Sequence, residues 1–247
     1  MPEQTDYNGF SLEINEISTI TFNMSHGVNI LSTPVIIDFV RAIDRLSFIK
    51  EVKVLIITGS GNTFLAGADI KEMAEFDAKE AEKFARLIHN AMNIVEKFPR
   101  PVIAAVNGFA LGGGCELALA CDIILASEAA VFAQPEVNLG IIPGAGGTQR
   151  LAGRIGREMA KELIFTGRRV QADEAFDLRL VNRVVPKDEL SEEVMTLARL
   201  IAQKPLQCIE AAKKSIDSCS FETEIEEFTN LFNYDDRKNL MNKFLKR

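Results

Sequence analysis

Residues 101–123 read PVIAAVNGFALGGGCELALACDI. The opening run, Val102–Val106, is short and continuously apolar, which reads as a strand covered on both faces. Three glycines follow, Gly112, Gly113 and Gly114, and then a helix is expected over 113–121. Glycines at that junction allow a close backbone approach and leave the first helical amides without partners. Those amides and the helix dipole favour negative charge in front of them, a phosphate or a developing oxyanion. Phosphate motifs fit poorly. Gly113 is followed by Gly114 and Cys115, not by the Lys and Ser or Thr of a P-loop, and Leu117 stands where a dinucleotide fingerprint needs its third glycine. No serine occupies a nucleophile elbow. An oxyanion hole without a nucleophile is what remains.

Glu116 closes the glycine run. A second carboxylate, Glu136, lies in QPEVNLGIIPGAGGT, residues 134–148, where Pro135 and Pro143 interrupt regular structure. Alone, each glutamate is ordinary: one suits a helix N-terminus, the other a surface loop. Each standing beside a glycine-rich turn, they point to a carboxylate pair acting on one reacting centre. A third segment, TGSGNTFLAGADIK at 58–71, ends a buried strand and enters a helix through Asp69, an N-cap candidate. Free amides around Ala68 would supply a second oxyanion donor.

Outward from these segments, strands are expected at 17–23, 52–58, 102–106, 122–126 and 130–133. Helices are expected at 34–48, 81–98, 113–121, 157–166, 191–203, 205–219, 222–232 and 235–246. Strands alternate with helices to about residue 140 and helices alone follow, an α/β pattern. The 247 residues, 47% apolar and 26% charged, are long enough for a full core and exclude disordered classes. No apolar run approaches the ~18 residues of a membrane span. The opening MPEQTDYNGFSLEINE has neither a basic nor an apolar leader region, so a cytoplasmic location is expected. Lys plus Arg total 28 against 35 Asp plus Glu, a formal charge of -7, which argues against nucleic-acid binding. Cys115, Cys121, Cys208 and Cys219 form no metal or disulfide spacing and are expected as buried free thiols. With His26 and His89 the only histidines, no metal site is expected.

AGADIKEM at 66–73, the 101–123 stretch, AQPEVNLGIIPGAGGTQRLAGRIG at 133–156 and FTGRRVQADEAFDLRLVNRVVP at 165–186 together resemble the crotonase (enoyl-CoA hydratase/isomerase) superfamily. The resemblance runs from about residue 10 to the C-terminus. It implies a spiral core of β-β-α turns over 1–190 and a helical C-terminal trimerisation region over 191–247. It also implies an acyl-CoA thioester substrate, no cofactor beyond it, and a homotrimer or dimer of trimers. The thioester oxygen would be held by the amides of Ala68 and Gly113, with the amide of Gly144 helping to position water. Ala66, Ala68, Asp69, Ile70, Lys71 and Gly113 would line the substrate site. Glu116 and Glu136 would be catalytic, with Glu136 taken as the acid and Glu116 as the base; the sequence alone leaves these roles interchangeable. Retention of both glutamates favours hydration of a trans-2-enoyl-CoA over isomerisation or dehydration of a specialised hydroxyacyl-CoA. An RNA-binding or scaffolding role is the non-enzymatic alternative. The family's early Asn-Arg-Pro pattern is replaced by NMSHGVNIL at 23–31, where His26 is a candidate phosphate contact. Phe228 and the basic tail (Arg237, Lys238, Lys243, Lys246, Arg247) would approach CoA on a neighbouring subunit.

Overall fold

The computed structural model describes residues 3–24 and 27–246, so the candidate contact His26 lies outside the described residues. The chain enters through three antiparallel strands, β1 (Glu3–Tyr7), β2 (Phe10–Ile14) and β3 (Ile17–Phe22). Alternation along β3 buries Ser18, Ile20 and Phe22 on one face. Helix α1 (Thr33–Ser47) takes Pro34 in its first turn and turns Val35, Ile36, Phe39, Ala42, Ile43 and Leu46 inward at helical spacing. The rings of Phe10, Phe22 and Phe39 meet at centroid separations of 5.7–6.0 Å and join this helix to the sheet.

Three successive turns then build the spiral. The first is β4 (Val54–Gly59), β5 (Thr63–Leu65), α2 (Ile70–Met73) and α3 (Ala78–Glu96). The second is β6 (Val102–Val106), β7 (Phe109–Leu111) and α4 (Gly113–Ala120). The third is β8 (Ile123–Ser127), β9 (Val131–Ala133), a 3-10 turn at Glu136–Leu139, α5 (Gly147–Ile155) and α6 (Arg157–Thr166). Each turn gives its longer strand to one sheet and its three-residue strand to another. The large sheet closes with β11 (Arg183–Val185) in the order β1-β2-β3-β4-β6-β8-β11. The small one runs β10-β9-β7-β5, with β10 (Val170–Gln171) leading into α7 (Ala172–Asp177). From β3 onward the large sheet is parallel, and its central strands β4, β6 and β8 are apolar without alternation because both faces are covered.

One face of that sheet packs into the main core. The other is covered by α8 (Leu190–Ala202), whose Val194, Ala198 and Ala202 meet Ile56, Ile103 and Leu125. The division expected at residue 190 therefore falls at the start of a helix that packs with the core, and the separate helices follow it. They are α9 (Leu206–Ser218), α10 (Phe221–Asn230) and α11 (Asp235–Leu245). Lys213 of α9 ties that layer down, its Nζ lying 2.8 Å from Asp122 Oδ2. Helices α10 and α11 bury none of their residues and leave Phe221, Ile225, Phe228, Phe244 and Leu245 exposed. Only Cys115 and Cys121 are buried; Cys208 is half-buried and Cys219 exposed, so the expectation of four buried thiols holds for two. Among the described residues no helix is long and apolar enough to cross a membrane.

Candidate active site

Every residue of α4 is buried, which places this short helix at the centre of the molecule. It reaches that position by backbone contact: a Cβ on Gly114 would lie 2.0 Å from Leu65 O at the end of β5. The same approach sets the start of α4 against the chain that follows β5, where a Cβ on Gly113 would lie 3.6 Å from Ala68 N. Leu31 donates to Gly67 O at 2.8 Å and accepts from Asp69 N at 3.1 Å, forming a parallel bridge opposite Ala68. In such a bridge the central residue's own N–H points away from the partner, so Ala68 N faces the α4 terminus. Neither Ala68 N nor Gly113 N donates to an acceptor among the described residues. These are the two amides that the family resemblance implies for the thioester oxygen.

Glu116 sits in the first turn of α4 and is 2% exposed. Its Oε1 accepts from Ala145 N at 2.8 Å and Gly147 N at 2.7 Å. Its Oε2 accepts from no donor among the described residues. Burial pushes the Glu116 carboxyl upward; the Gly147 and Ala145 amides and the Arg150 cation oppose that shift by favouring the ionised form. Glu136 occupies the 3-10 turn after β9, its Oε1 only 3.0 Å from where a Cβ on Gly112 would lie. Burial pushes Glu136 up to about 7, with its own backbone N–H opposing the shift and the charge of Glu116 adding to it. Two amides and a cation work for the carboxylate at 116, while a neighbouring negative charge works against it at 136. Burial raises both carboxyls, and their unlike surroundings set the two apart. Gln134 serves either state of Glu136: turned nitrogen-first it donates to Oε1 at 3.1 Å, and turned oxygen-first it accepts from the neutral acid.

Both glutamates, Ala66, Ala68, Ile70, Gly113 and Gly144 line one cavity of about 730 Å³. Its apolar wall comes from Phe84 and Ile88 of α3, with Met73 and Phe76 before that helix and Ile141 and Ile142 opposite. Gly144 N donates to no acceptor among the described residues and is free to hold a ligand or water. Asp69 and Lys71 do not line this cavity. The Asp69 carboxylate caps α2 instead, accepting from Lys71 N at 3.0 Å and Glu72 N at 3.3 Å, and the Lys71 side chain is exposed. A groove of similar volume, about 730 Å³, lies between Lys97–Pro99 and helices α9 and α10. It holds the Lys214–Glu227 ion pair but neither Glu116 nor Glu136 and neither free amide. Among the described residues no group of three or more His, Cys, Asp or Glu side chains converges as a metal site. The part of the site that the sequence did not reveal is its support: the Ala145 and Gly147 amides, Gln134 and Arg150.

A spiral of β-β-α turns wound round a buried glutamate helix is the architecture of a crotonase. Residues 13–247 match the family model described as enoyl-CoA hydratase/isomerase, and the chain belongs to that family. It is 40% identical to the short-chain-enoyl-CoA hydratase of Clostridium acetobutylicum, over 94% of this chain and 92% of that one. It is 42% identical to the crotonyl-CoA hydratase of Syntrophomonas wolfei, over 89% and 85%. The crystal structure of an enoyl-CoA hydratase from Bacillus anthracis superposes with a TM-score of 0.92 at 36% identity, covering 96% of each chain.

Proposed function

We propose that this protein is an enoyl-CoA hydratase, adding water reversibly across the 2,3 double bond of a trans-2-enoyl-CoA. The observation that carries this reading is two unpartnered amides, Ala68 N and Gly113 N, opening on the same cavity as two buried carboxyls with unlike surroundings, amides and a cation at Glu116 and a neighbouring charge at Glu136. The thioester oxygen sits between those amides, with the start of α4 behind it. The free Oε2 of Glu116, with the Gly144 amide, holds a water over C3. As the water oxygen bonds to C3, Glu116 takes its proton and the π electrons move through C2 toward the thioester oxygen. Glu136 then delivers a proton to C2, and the proton gained by Glu116 returns to Glu136 through the next water. Charge develops on the thioester oxygen, where each aligned donor is worth ~2.7–4 kcal/mol in the transition state. The addition leaves oxidation states balanced, so the substrate's own CoA is the only carrier the reaction needs.

Loss of the enone absorbance of crotonyl-CoA on adding the protein tests this. Isomerisation of a 3-enoyl-CoA with no hydration would assign the other branch of the family, and salt-dependent RNA binding with no turnover of any CoA thioester would remove the enzymatic reading.

The acid at 136 also fixes a pH dependence. Its proton is present below about pH 7 and lost above it, so kcat/KM for hydration falls as pH rises through that value. A profile with no basic limb between about pH 6 and about pH 9 would remove Glu136 as the proton donor.

The exposed apolar residues of α10 and α11 support assembly with further copies of the chain, as a homotrimer or a pair of trimers. Phe228 and the basic C-terminal tail are in that reading the surface nearest a neighbour's CoA.

A further inference from the structure

Arg150 does not line the cavity, yet its side chain is only 11% exposed and committed on two sides. From the first turn of α5, Nη1 donates to Ala145 O at 3.0 Å. Nη2 donates to Asn93 Oδ1 at 2.8 Å and to Glu96 Oε2 at 2.7 Å, both on α3. The guanidinium lies directly over Gly146: a Cβ there would come within 2.1 Å of Nη1, and the backbone φ of 103° excludes one as well. The residues on either side of Gly146 are those whose amides hold Glu116 Oε1. One face of the 145–147 turn therefore grips the carboxylate, and the other is gripped by Arg150. Through Asn93 and Glu96 the turn is tied to α3, the helix that supplies Phe84 and Ile88 to the cavity wall.

We propose that Arg150 is the positioning residue for Glu116, clamping the 145–147 turn to α3 so that the turn's amides stay aimed at the carboxylate. The inference rests on the reading of Glu116 as the base. It also has an electrostatic side, because the Arg150 cation favours the ionised carboxylate. The other titratable groups around Glu116 do not replace it. Glu136 is a second acid, the Cys115 thiol is held neutral by burial, and His89 of α3 lies on the Arg150 side of the turn.

The test compares wild type, Arg150→Met and Arg150→Lys in crotonyl-CoA hydration across pH. Arg150→Met lowers kcat by about 10- to about 100-fold, the scale of a misplaced catalytic group, with KM changed much less. Its acidic limb moves to higher pH, because a carboxylate deprived of a cation holds its proton more tightly. Arg150→Lys keeps the limb near the wild-type position but recovers kcat only in part, since one ammonium cannot span Ala145 O and α3 together. The double variant Asn93→Ala/Glu96→Gln frees the guanidinium from α3 while keeping the cation, and it lowers kcat with the limb unmoved. This variant decides the matter if Arg150→Met fails to fold. An unchanged kcat in the double variant, or a loss in Arg150→Met with an unshifted limb, overturns the proposal. Wild type without hydratase activity, or Glu116→Gln with full activity, would instead overturn the reading of the site beneath it.

Discussion

Glu116→Gln folds normally and loses hydration by about 10²–10⁴-fold in kcat, the range for a missing general base. The glutamine can keep its oxygen where Oε1 now accepts from Ala145 N and Gly147 N. Its NH2 then replaces Oε2, the atom free to take a proton from water. Geometry survives and proton acceptance does not. The exchange also removes a charge whose burial is unfavourable, so the melting temperature stays level or rises. That separates it from Glu116→Ala, which strands two buried amides at ~1–3 kcal/mol each and confounds catalysis with stability. The residual activity of Glu116→Gln loses the acidic limb of the pH profile, because the group that titrates there is gone. Turnover within a few-fold of wild type would mean that another group activates the water.

The contrast between these residues and their supports explains how much the sequence disclosed. Val102–Val106 and Gly113–Ala120 are wholly buried, and continuous burial writes itself into continuous apolar runs. The strands β5 and β7, three residues each, are too short for any periodicity. They are strands because the spiral stacks them beside β9, a tertiary cause. Strand β1 reads EQTDY and looks like a polar tail, but pairing with β2 at the sheet edge orders it. Helix α5 begins in glycines and buries only Gly147 and Leu151, and none of the expected helices covers it. Helix α8 was expected as a helix, but amphipathicity names a buried face without naming its partner, and the partner proved to be the large sheet.

The same limit applies within the site. Glu116, Glu136, Ala68 and Gly113 stand in glycine-rich turns that announce close approach, and one cavity gathers them. Asp69 and Lys71 adjoin Ala68 in sequence but do not line the cavity, because α2 starts there and the Asp69 carboxylate caps it. Arg150 carried no local signal. Its meaning lies in contacts with Asn93 and Glu96, on a helix more than fifty positions earlier in the chain.

Gly114→Ala is expected to damage the fold severely, and it takes the proposed active site with it. The added methyl would fall 2.0 Å from Leu65 O and 2.7 Å from Leu65 C, both backbone atoms of a fully buried strand. Neither can rotate away as a flexible side chain would, so α4 and β5 must separate. Overpacking of a dense core usually costs ~1–3 kcal/mol and occasionally more; contact with backbone that cannot rotate away puts this case at ~3 kcal/mol or above. For a chain of this size that is a fall of roughly 6–12 °C in Tm. The separation also has a direction that matters for chemistry. Leu65 is three residues before Ala68, and Gly114 directly follows Gly113, so moving the two elements apart moves apart the two amides proposed to hold the thioester oxygen. An oxygen held by two donors would then be held well by one at most, with ~2.7–4 kcal/mol of transition-state stabilisation lost, or about 10²–10³ in kcat. Alanine at 153 is the matched control: a Cβ on Gly153 meets nothing within 4 Å, and the exchange, inside α5, leaves stability level or raises it by up to ~1 kcal/mol. If Gly114→Ala melted within a degree or two of wild type and turned over normally, the close packing of α4 on β5 would not be what aligns the amides.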